Sequence, residues 1–239
     1  MKVLGVIPAR YNSSRFPGKP LVDLKGKSMI QRVYEGANKS KSLDHLIVAT
    51  DDNRIVNEVN KFGGEVMMTK STHTSGTERC AEVAKSLDNY DIVINIQGDE
   101  PLVNSNQLDQ LIDVFKDEKI QIATLGIETS DLKEIENSNR IKIVCDVNNN
   151  AMYFSRSIIP FNQDKHTSQN YLRHIGLYAY RSNTLQEICK IAPSQIEKIE
   201  SLEQLRWLYH GYCIYVLKTD IETPNIDTPN DLNAVIEQL

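Results

Sequence analysis

Short apolar runs occupy residues 3–7, 46–50, 65–68, 92–96 and 122–127, each bounded by polar or turn-forming positions. Runs of that length read as buried strands. Between them apolar residues recur at helical spacing. Several of these stretches open with a capping-box pattern, Ser, Thr or Asn followed three residues later by Glu or Gln. Ser28 with Gln31 and Ser75 with Glu78 have this form, and Asn104 with Gln107 is a weaker version. Such alternation implies a mostly parallel sheet covered by helices on both faces, an α/β fold of three layers. The second half is less regular. Residues 141–146 and 151–156 read as strands around the turn Asn148-Asn149-Asn150, because Asn tolerates left-handed φ. A polar loop over 160–171 precedes a strand over 171–180. Helices are expected near 184–191 and 201–210, then a strand over 213–217 and a last helix after Pro229. The pattern predicts a single domain over 1–239, with the region from about 130 to 182 forming an antiparallel extension of the sheet.

Composition removes several classes. The 239 residues are 40% hydrophobic and 25% charged, which is ordinary for a globular protein. A net charge of −5 argues against a nucleic-acid partner. No apolar run approaches the roughly 18 residues of a membrane span. The run over 3–7 is too short for a secretory signal, so a cytoplasmic location is expected. Cys80, Cys145, Cys189 and Cys213 are widely spaced, which favours free thiols over zinc ligands or disulfides.

The chemistry concentrates at strand exits. Residues 8–20, Pro-Ala-Arg-Tyr-Asn-Ser-Ser-Arg-Phe-Pro-Gly-Lys-Pro, carry the cations Arg10, Arg15 and Lys19 on a loop shaped by Pro17, Gly18 and Pro20. A loop after the first strand of an α/β sheet is a ligand-binding position, and three cations there ask for a polyanion. It is not a P-loop, since Leu21 stands where the first Gly of a motif ending Gly26-Lys27-Ser28 belongs. No G-x-G-x-x-G follows the first strand, so a dinucleotide fold loses ground too. Asn95-Ile-Gln-Gly-Asp-Glu-Pro101 ends the fourth strand and places Asp99 beside that loop. A carboxylate next to a polyphosphate suits Mg²⁺, which takes oxygen ligands. In Asp227-Thr-Pro-Asn-Asp231, Thr228 suits an N-cap and Pro229 the first helical position. Asp231 then has a structural role, and Asp227 is left as a second candidate ligand. The helix start His73-Thr-Ser-Gly-Thr-Glu-Arg79 offers backbone N–H groups to an anion or a base edge. Alternation places Arg156 with Phe154, and His174 with Tyr178 and Tyr180. Ser201 to Gln204 has capping-box spacing, and the single Trp207 suits the core.

In order and spacing these segments, with Tyr153-Phe-Ser-Arg156, Arg173-His-Ile-Gly-Leu-Tyr178 and Leu202-Glu-Gln-Leu-Arg206, resemble the 3-deoxy-manno-octulosonate (Kdo) cytidylyltransferases over residues 3–232. The resemblance implies a nucleotidyltransferase fold, a homodimer formed through the antiparallel extension, and transfer of CMP from CTP to Kdo for lipopolysaccharide precursor synthesis, with release of pyrophosphate. It implies Mg²⁺ ligands at Asp99 and Asp227, and a triphosphate loop using Arg10, Ser13, Arg15 and Lys19. A nucleotide-binding helix start is implied at Ser75, Gly76 and Arg79. The implied sugar pocket uses Gln97, Arg156, His174, Tyr178, Glu203 and Gln204, with Gln97 also against the nucleotide. Of these, Asp99, Asp227, Lys19 and Arg10 are expected to carry catalysis. Two departures from the family pattern, Asn225 for Gly and Asn230 for Glu, touch no expected ligand. The rival readings are a cytidylyltransferase for another ulosonic acid, such as 8-amino-Kdo or a sialic acid, and a non-catalytic nucleotide-binding protein.

Overall fold

The computed structural model describes residues 1–12, 16–164, 169–224, 226, 232 and 235–237. In chain order the strands and α-helices are β1 (Val3–Ala9), β2 (Asp23–Leu24), β3 (Lys27–Ser28), α1 (Met29–Ala37), β4 (His45–Thr50), α2 (Asn53–Lys61), β5 (Val66–Met68), α3 (Gly76–Leu87), β6 (Ile92–Asn95), α4 (Ser105–Asp113), β7 (Ile122–Thr129), α5 (Leu132–Glu136), β8 (Lys142–Cys145), β9 (Ala151–Ser155), β10 (Tyr171–Arg181), α6 (Ser182–Ile188), α7 (Gln195–Glu200), α8 (Gln204–Tyr209) and β11 (Ile214–Lys218). The main sheet runs β11-β7-β10-β6-β1-β4-β5. Its pairs are parallel except those of β10, which is antiparallel to both β6 and β7.

Alternation along β1 separates two cores. Val3, Ile7 and Ala9 join Ile30 and Val33 of α1, Ile55 and Val59 of α2, and Leu108 and Leu111 of α4. Leu4 and Val6 face the other way, toward Cys80 and Val83 of α3, Leu185 of α6, and Leu205 and Trp207 of α8. This is the three-layer arrangement that the apolar rhythm predicts. Trp207 is in the core, stacked edge-on against Tyr178 and Tyr180. A smaller cluster packs Ile226 and Val235 against Leu24 and Met29, which ties the C-terminal segment to the β2–β3 hairpin.

Three details differ from the sequence expectation. The strand over 171–180 lies inside the sheet, and only β8 and β9 form an antiparallel extension from it. Both faces of β10 are apolar: Ile175, Leu177 and Ala179 enter one core, Tyr178 and Tyr180 the other. Such a strand is stable only between two neighbours and two helix layers. Ser201 is no helix cap; it ends α7 in the left-handed region, φ 51°, and Glu203 precedes α8 without a capping bond. The complete capping box is Ser194 with Glu197 at the start of α7, a helix with no buried residue and therefore no apolar stripe to reveal it. At α4, Asn104 caps through Asn106 N–H, while Gln107 turns inward to Thr219 and Ile221. The turn between β8 and β9 is as expected, with Asn149 at φ 62°.

Candidate active site

The sheet order changes direction at β1. The chain moves from β1 to β4 and β5 on one side, then returns to place β6 on the other. A crevice outside the carboxyl ends of strands at such a switch point is the ligand position of open α/β sheets. Here a cleft of about 230 Å³ opens between the end of β1 (Pro8 to Arg10), the end of β6 (Gln97 to Asp99) and the start of α3 (His73 to Gly76). Seven residues expected from the sequence, Arg10, Lys19, Ser75, Gly76, Arg79, Gln97 and Asp99, line this one cleft.

Each is held by local structure. Ser75 caps α3 by accepting from Glu78 N–H at 3.2 Å, and with Gly76 brings the start of this helix to the cleft. Arg79 is buried and fixed by an ion pair to Asp51 at 3.3 Å and a hydrogen bond to Thr69. The ring of His73, which opens the 73–79 segment, bonds the Glu82 carboxylate and fastens the loop before α3. Lys19 Nζ donates to Asp99 at 2.6 Å and to Ile226 O at 2.7 Å. Ile226 N–H in turn donates to Asp99 O at 3.0 Å. The residue preceding Asp227 is thus bonded to Asp99. Ser13, Arg15, Asn225, Asp227, Asn230 and Asp231 themselves lie outside the described residues, as does most of the helix expected after Pro229. Asp99 offers carboxylate oxygens at the cleft, the donor type a hard divalent cation takes, and its charge there is met by the Lys19 ammonium.

A second cleft of about 290 Å³ adjoins the first and shares Gln97 and Asp99 with it. It exists because β10 is antiparallel. Tyr178 pairs with Asn95 at the end of β6, so residues 173–176 continue past that end onto the carboxyl side of the sheet. There the register steps from Ile175↔Leu125 to Tyr178↔Thr124, a bulge that frees Gly176 O to accept from Gln97 Nε2 at 3.0 Å. Arg173, paired with Glu222 and 3.5 Å from Glu134, brings a guanidinium to this cleft, and Arg140 another. Glu100 also lines it. Burial, reinforced by the Asp99 and Glu222 charges and opposed by Arg173, raises its carboxyl to about 8. His174 pairs its Nε2 with Thr124 Oγ1 at 2.9 Å. The Thr124 hydroxyl donates to Leu177 O, so the imidazole donates from Nε2 and keeps Nδ1 as an acceptor. Burial, with the nearby Arg173 charge, pushes His174 down to about 3.

Gln97 and His174 therefore lie in the second cleft, and four other residues expected in a sugar pocket line neither cleft. Arg156 Nε donates to Glu200 O at 2.6 Å and Nη1 to Ser138 O at 3.0 Å. Tyr178 is buried in the stack with His174, Tyr180 and Trp207. Glu203 accepts from Thr77 Oγ1 at 2.6 Å, and burial raises its carboxyl. Gln204 is buried at the start of α8. Arg173, Arg140 and Glu100 are the reverse case. Arg173 neighbours His174 in the motif, but nothing in the strand pattern shows that a bulge brings both to one cleft.

The comparisons agree with this architecture. A family model described as Cytidylyltransferase matches residues 4–221. A 3-deoxy-manno-octulosonate cytidylyltransferase of Bacteroides thetaiotaomicron is 51% identical over 248 residues, covering 100% of this chain and 98% of that protein. The enzyme of the same name from Syntrophobacter fumaroxidans is 48% identical over 243 residues, covering 100% and 97%. Among solved structures, a CMP:2-keto-3-deoxy-manno-octonic acid synthetase complexed with CTP superposes with a TM-score of 0.94 at 40% identity, covering 100% of this chain and 98% of that one. The chain, a nucleotidyltransferase by fold and by sequence, belongs to the 3-deoxy-manno-octulosonate cytidylyltransferase family.

Proposed function

We propose that this enzyme joins CMP from CTP to the anomeric hydroxyl of Kdo, with CTP in the first cleft and the acidic sugar in the second. The observation that carries the reading is the pair of clefts meeting at Gln97 and Asp99. One is lined by cations and the start of α3, suited to a triphosphate; the other holds guanidinium groups and a neutral imidazole, suited to a polyhydroxy acid.

In the reaction the anomeric hydroxyl gives up its proton to solvent and its oxygen forms a bond to the α-phosphorus, while the bond from that phosphorus to the bridging β-phosphate oxygen breaks and pyrophosphate leaves. Arg10 and Lys19 take up charge on the departing pyrophosphate, with Arg15 and Ser13 assigned to the same loop from the sequence. Arg173 and Arg140 hold the sugar carboxylate, and His174 Nδ1 accepts from a sugar hydroxyl. Gln97, tied to Gly176 O, fixes the boundary between the two substrates. Asp99 and Asp227 would hold Mg²⁺. When bound, Mg²⁺ supplies positive charge that offsets repulsion between the sugar carboxylate and the phosphates. Positioning of this kind is worth roughly 7–11 kcal/mol of barrier in well-oriented systems.

Pyrophosphate release with each of four nucleoside triphosphates against a panel of ulosonic acids tests the assignment. CTP with Kdo is expected to be the productive pair, and its activity to be lost with EDTA and restored by Mg²⁺. Turnover with neuraminic acid and none with Kdo would overturn it.

A homodimer through residues 130–182 and a cytoplasmic setting complete the reading. Exposed Val147, Met152, Ile158 and Phe161 in that region are apolar side chains that a second copy would cover. The four free cysteines suit a reducing compartment, and no helix among the described residues is long and apolar enough to cross a membrane. Sedimentation at micromolar concentration should give a dimer; a monomer there would refute that part.

A further inference from the structure

The loop that carries Arg10 and Lys19 is closed at its neck. Gly18 N–H donates to Tyr11 O at 2.9 Å, so the chain returns to within one hydrogen bond of where it left β1. The Tyr11 ring fills the neck. A Cβ on Gly18 would lie 3.2 Å from the Tyr11 hydroxyl oxygen and 3.3 Å from two ring carbons. On the same ring the Arg54 guanidinium carbon lies 3.3 Å from the centroid. Arg54 comes from the first turn of α2 and is itself gripped by Asp52, through Nε at 2.9 Å and Nη2 at 2.6 Å. Asp52 also caps α2. Arg54 is half exposed, 55%, and does not line the nucleotide cleft.

We propose that Arg54 is a positioning residue for triphosphate recognition: stacked on Tyr11 and fixed by Asp52, it holds the neck from which Arg10 and Lys19 reach the cleft. The adjacent Asp51 pairs at 3.3 Å with Arg79, which lines the same cleft, so the turn between β4 and α2 holds residues on both sides of it. Arg54 thus sits over a ring at the neck of the loop, held there by a carboxylate that also caps α2. The inference rests on CTP being the occupant of the first cleft.

The test is CTP affinity by calorimetry, with steady-state KM for CTP and Kdo. Arg54→Ala should weaken CTP binding and raise its KM about 2- to 5-fold, the worth of a cation–π contact at an exposed site. KM for Kdo should stay within about twofold. Arg54→Lys keeps a cation over the ring and should recover most of the loss. A double-mutant cycle isolates the route. The Arg54→Ala effect should vanish in a Tyr11→Leu background and persist in Tyr11→Phe, which keeps the ring. Unchanged CTP affinity in folded Arg54→Ala would overturn the proposal. So would an effect that persists in Tyr11→Leu, since Arg54 would then meet the phosphates directly. If Tyr11→Leu fails to fold, Arg54→Lys decides: loss equal to that of Ala would refute the stacking role. Calorimetry needs no acceptor, so a wrong sugar assignment would show as absent turnover with CTP affinity intact.

Discussion

Gly98 gives the sharpest steric test of the site. A Cβ built there would lie 2.9 Å from Pro8 O and 3.7 Å from Ile7 Cγ2. Ordinary carbon–oxygen contacts begin near ~3.3 Å, so an Ala at 98 must move by about 0.4 Å or push Pro8 by as much. The two segments cannot part freely, because Ile96 N–H donates to Val6 O at 2.9 Å just before them. The displacement therefore falls on Gln97 and Asp99, the residues shared by both clefts. A misplacement of about 1 Å can cost ~10²-fold in rate, so Gly98→Ala should lower kcat on the order of 10-fold. Overpacking should also cost about 1–3 kcal/mol, or roughly 2–6 °C in Tm at this chain length. Gly211→Ala is the control. It meets no atom within 4 Å but has φ +83°, so it should lose stability through strain and keep kcat. Pyrophosphate release and calorimetry on both variants decide the matter. Wild-type kcat in Gly98→Ala, or an equal fall in Gly211→Ala, would show that the close approach at Pro8 does not set the site.

Asp99→Asn and Asp227→Asn should each lower kcat at least ~10²-fold while CTP affinity falls less, and the double variant should be far less than additively worse; near-normal turnover of Asp227→Asn at limiting Mg²⁺ would remove it from the ligand set. Arg173→Lys, which keeps charge but loses the planar fork, should raise KM for Kdo more than KM for CTP, and more than Arg156→Lys does, because Arg173 lines the second cleft and Arg156 lines neither. His174 makes stability pH-dependent: its folded value of about 3 lies below the ordinary 6.5, so its contribution is full above pH 6.5 and is lost as pH falls from 6.5 toward 3. Urea titrations at pH 7 and pH 5 should differ by about 2 kcal/mol more in the wild type than in His174→Gln; an identical pH dependence in both would show that the imidazole is not held neutral.

The first cleft was legible because its residues sit at strand exits and a capped helix start, features fixed by local sequence. The exit of β1, the exit of β6 and the Ser75 cap each have their own signal, and an alternating α/β pattern brings them to one edge. The second cleft depends on where β10 lies and where it bulges, and neither is local. Alternation correctly put His174, Tyr178 and Tyr180 on one face, yet only His174 reaches a cleft. Its neighbour Arg173 reaches the same cleft from the opposite parity, where the strand has passed the end of β6 and before it bulges between Ile175 and Tyr178. Ser201 failed as a cap for a related reason: the spacing of a capping box does not say which side of a turn it stands on, and here α7 ends where a helix was expected to begin.

The antiparallel strand also explains how one sheet edge can serve two anionic substrates. Parallel strands all end at the same edge, so each delivers its functional groups from the turn that follows it. β1 and β6 do this with Arg10 and Asp99. β10 runs the other way and crosses that edge before pairing with β6, so it contributes strand residues, anchored on β7 and β8, beyond the edge. Arg173 and His174 are thereby held on ladder-bonded backbone, His174 through its N–H to Ile141 O at 2.8 Å. Groups on a strand are placed more rigidly than groups on a loop. The cations proposed for the triphosphate, Arg10 and Lys19, follow the end of β1 on a loop, where the fit to a departing pyrophosphate could relax. In the proposed assignment Arg173 and His174 face the sugar from strand backbone, while Arg140 does so from the bend before β8. On the proposed assignment, a single change of strand direction separates the part of the site that must let go from the part that must hold still.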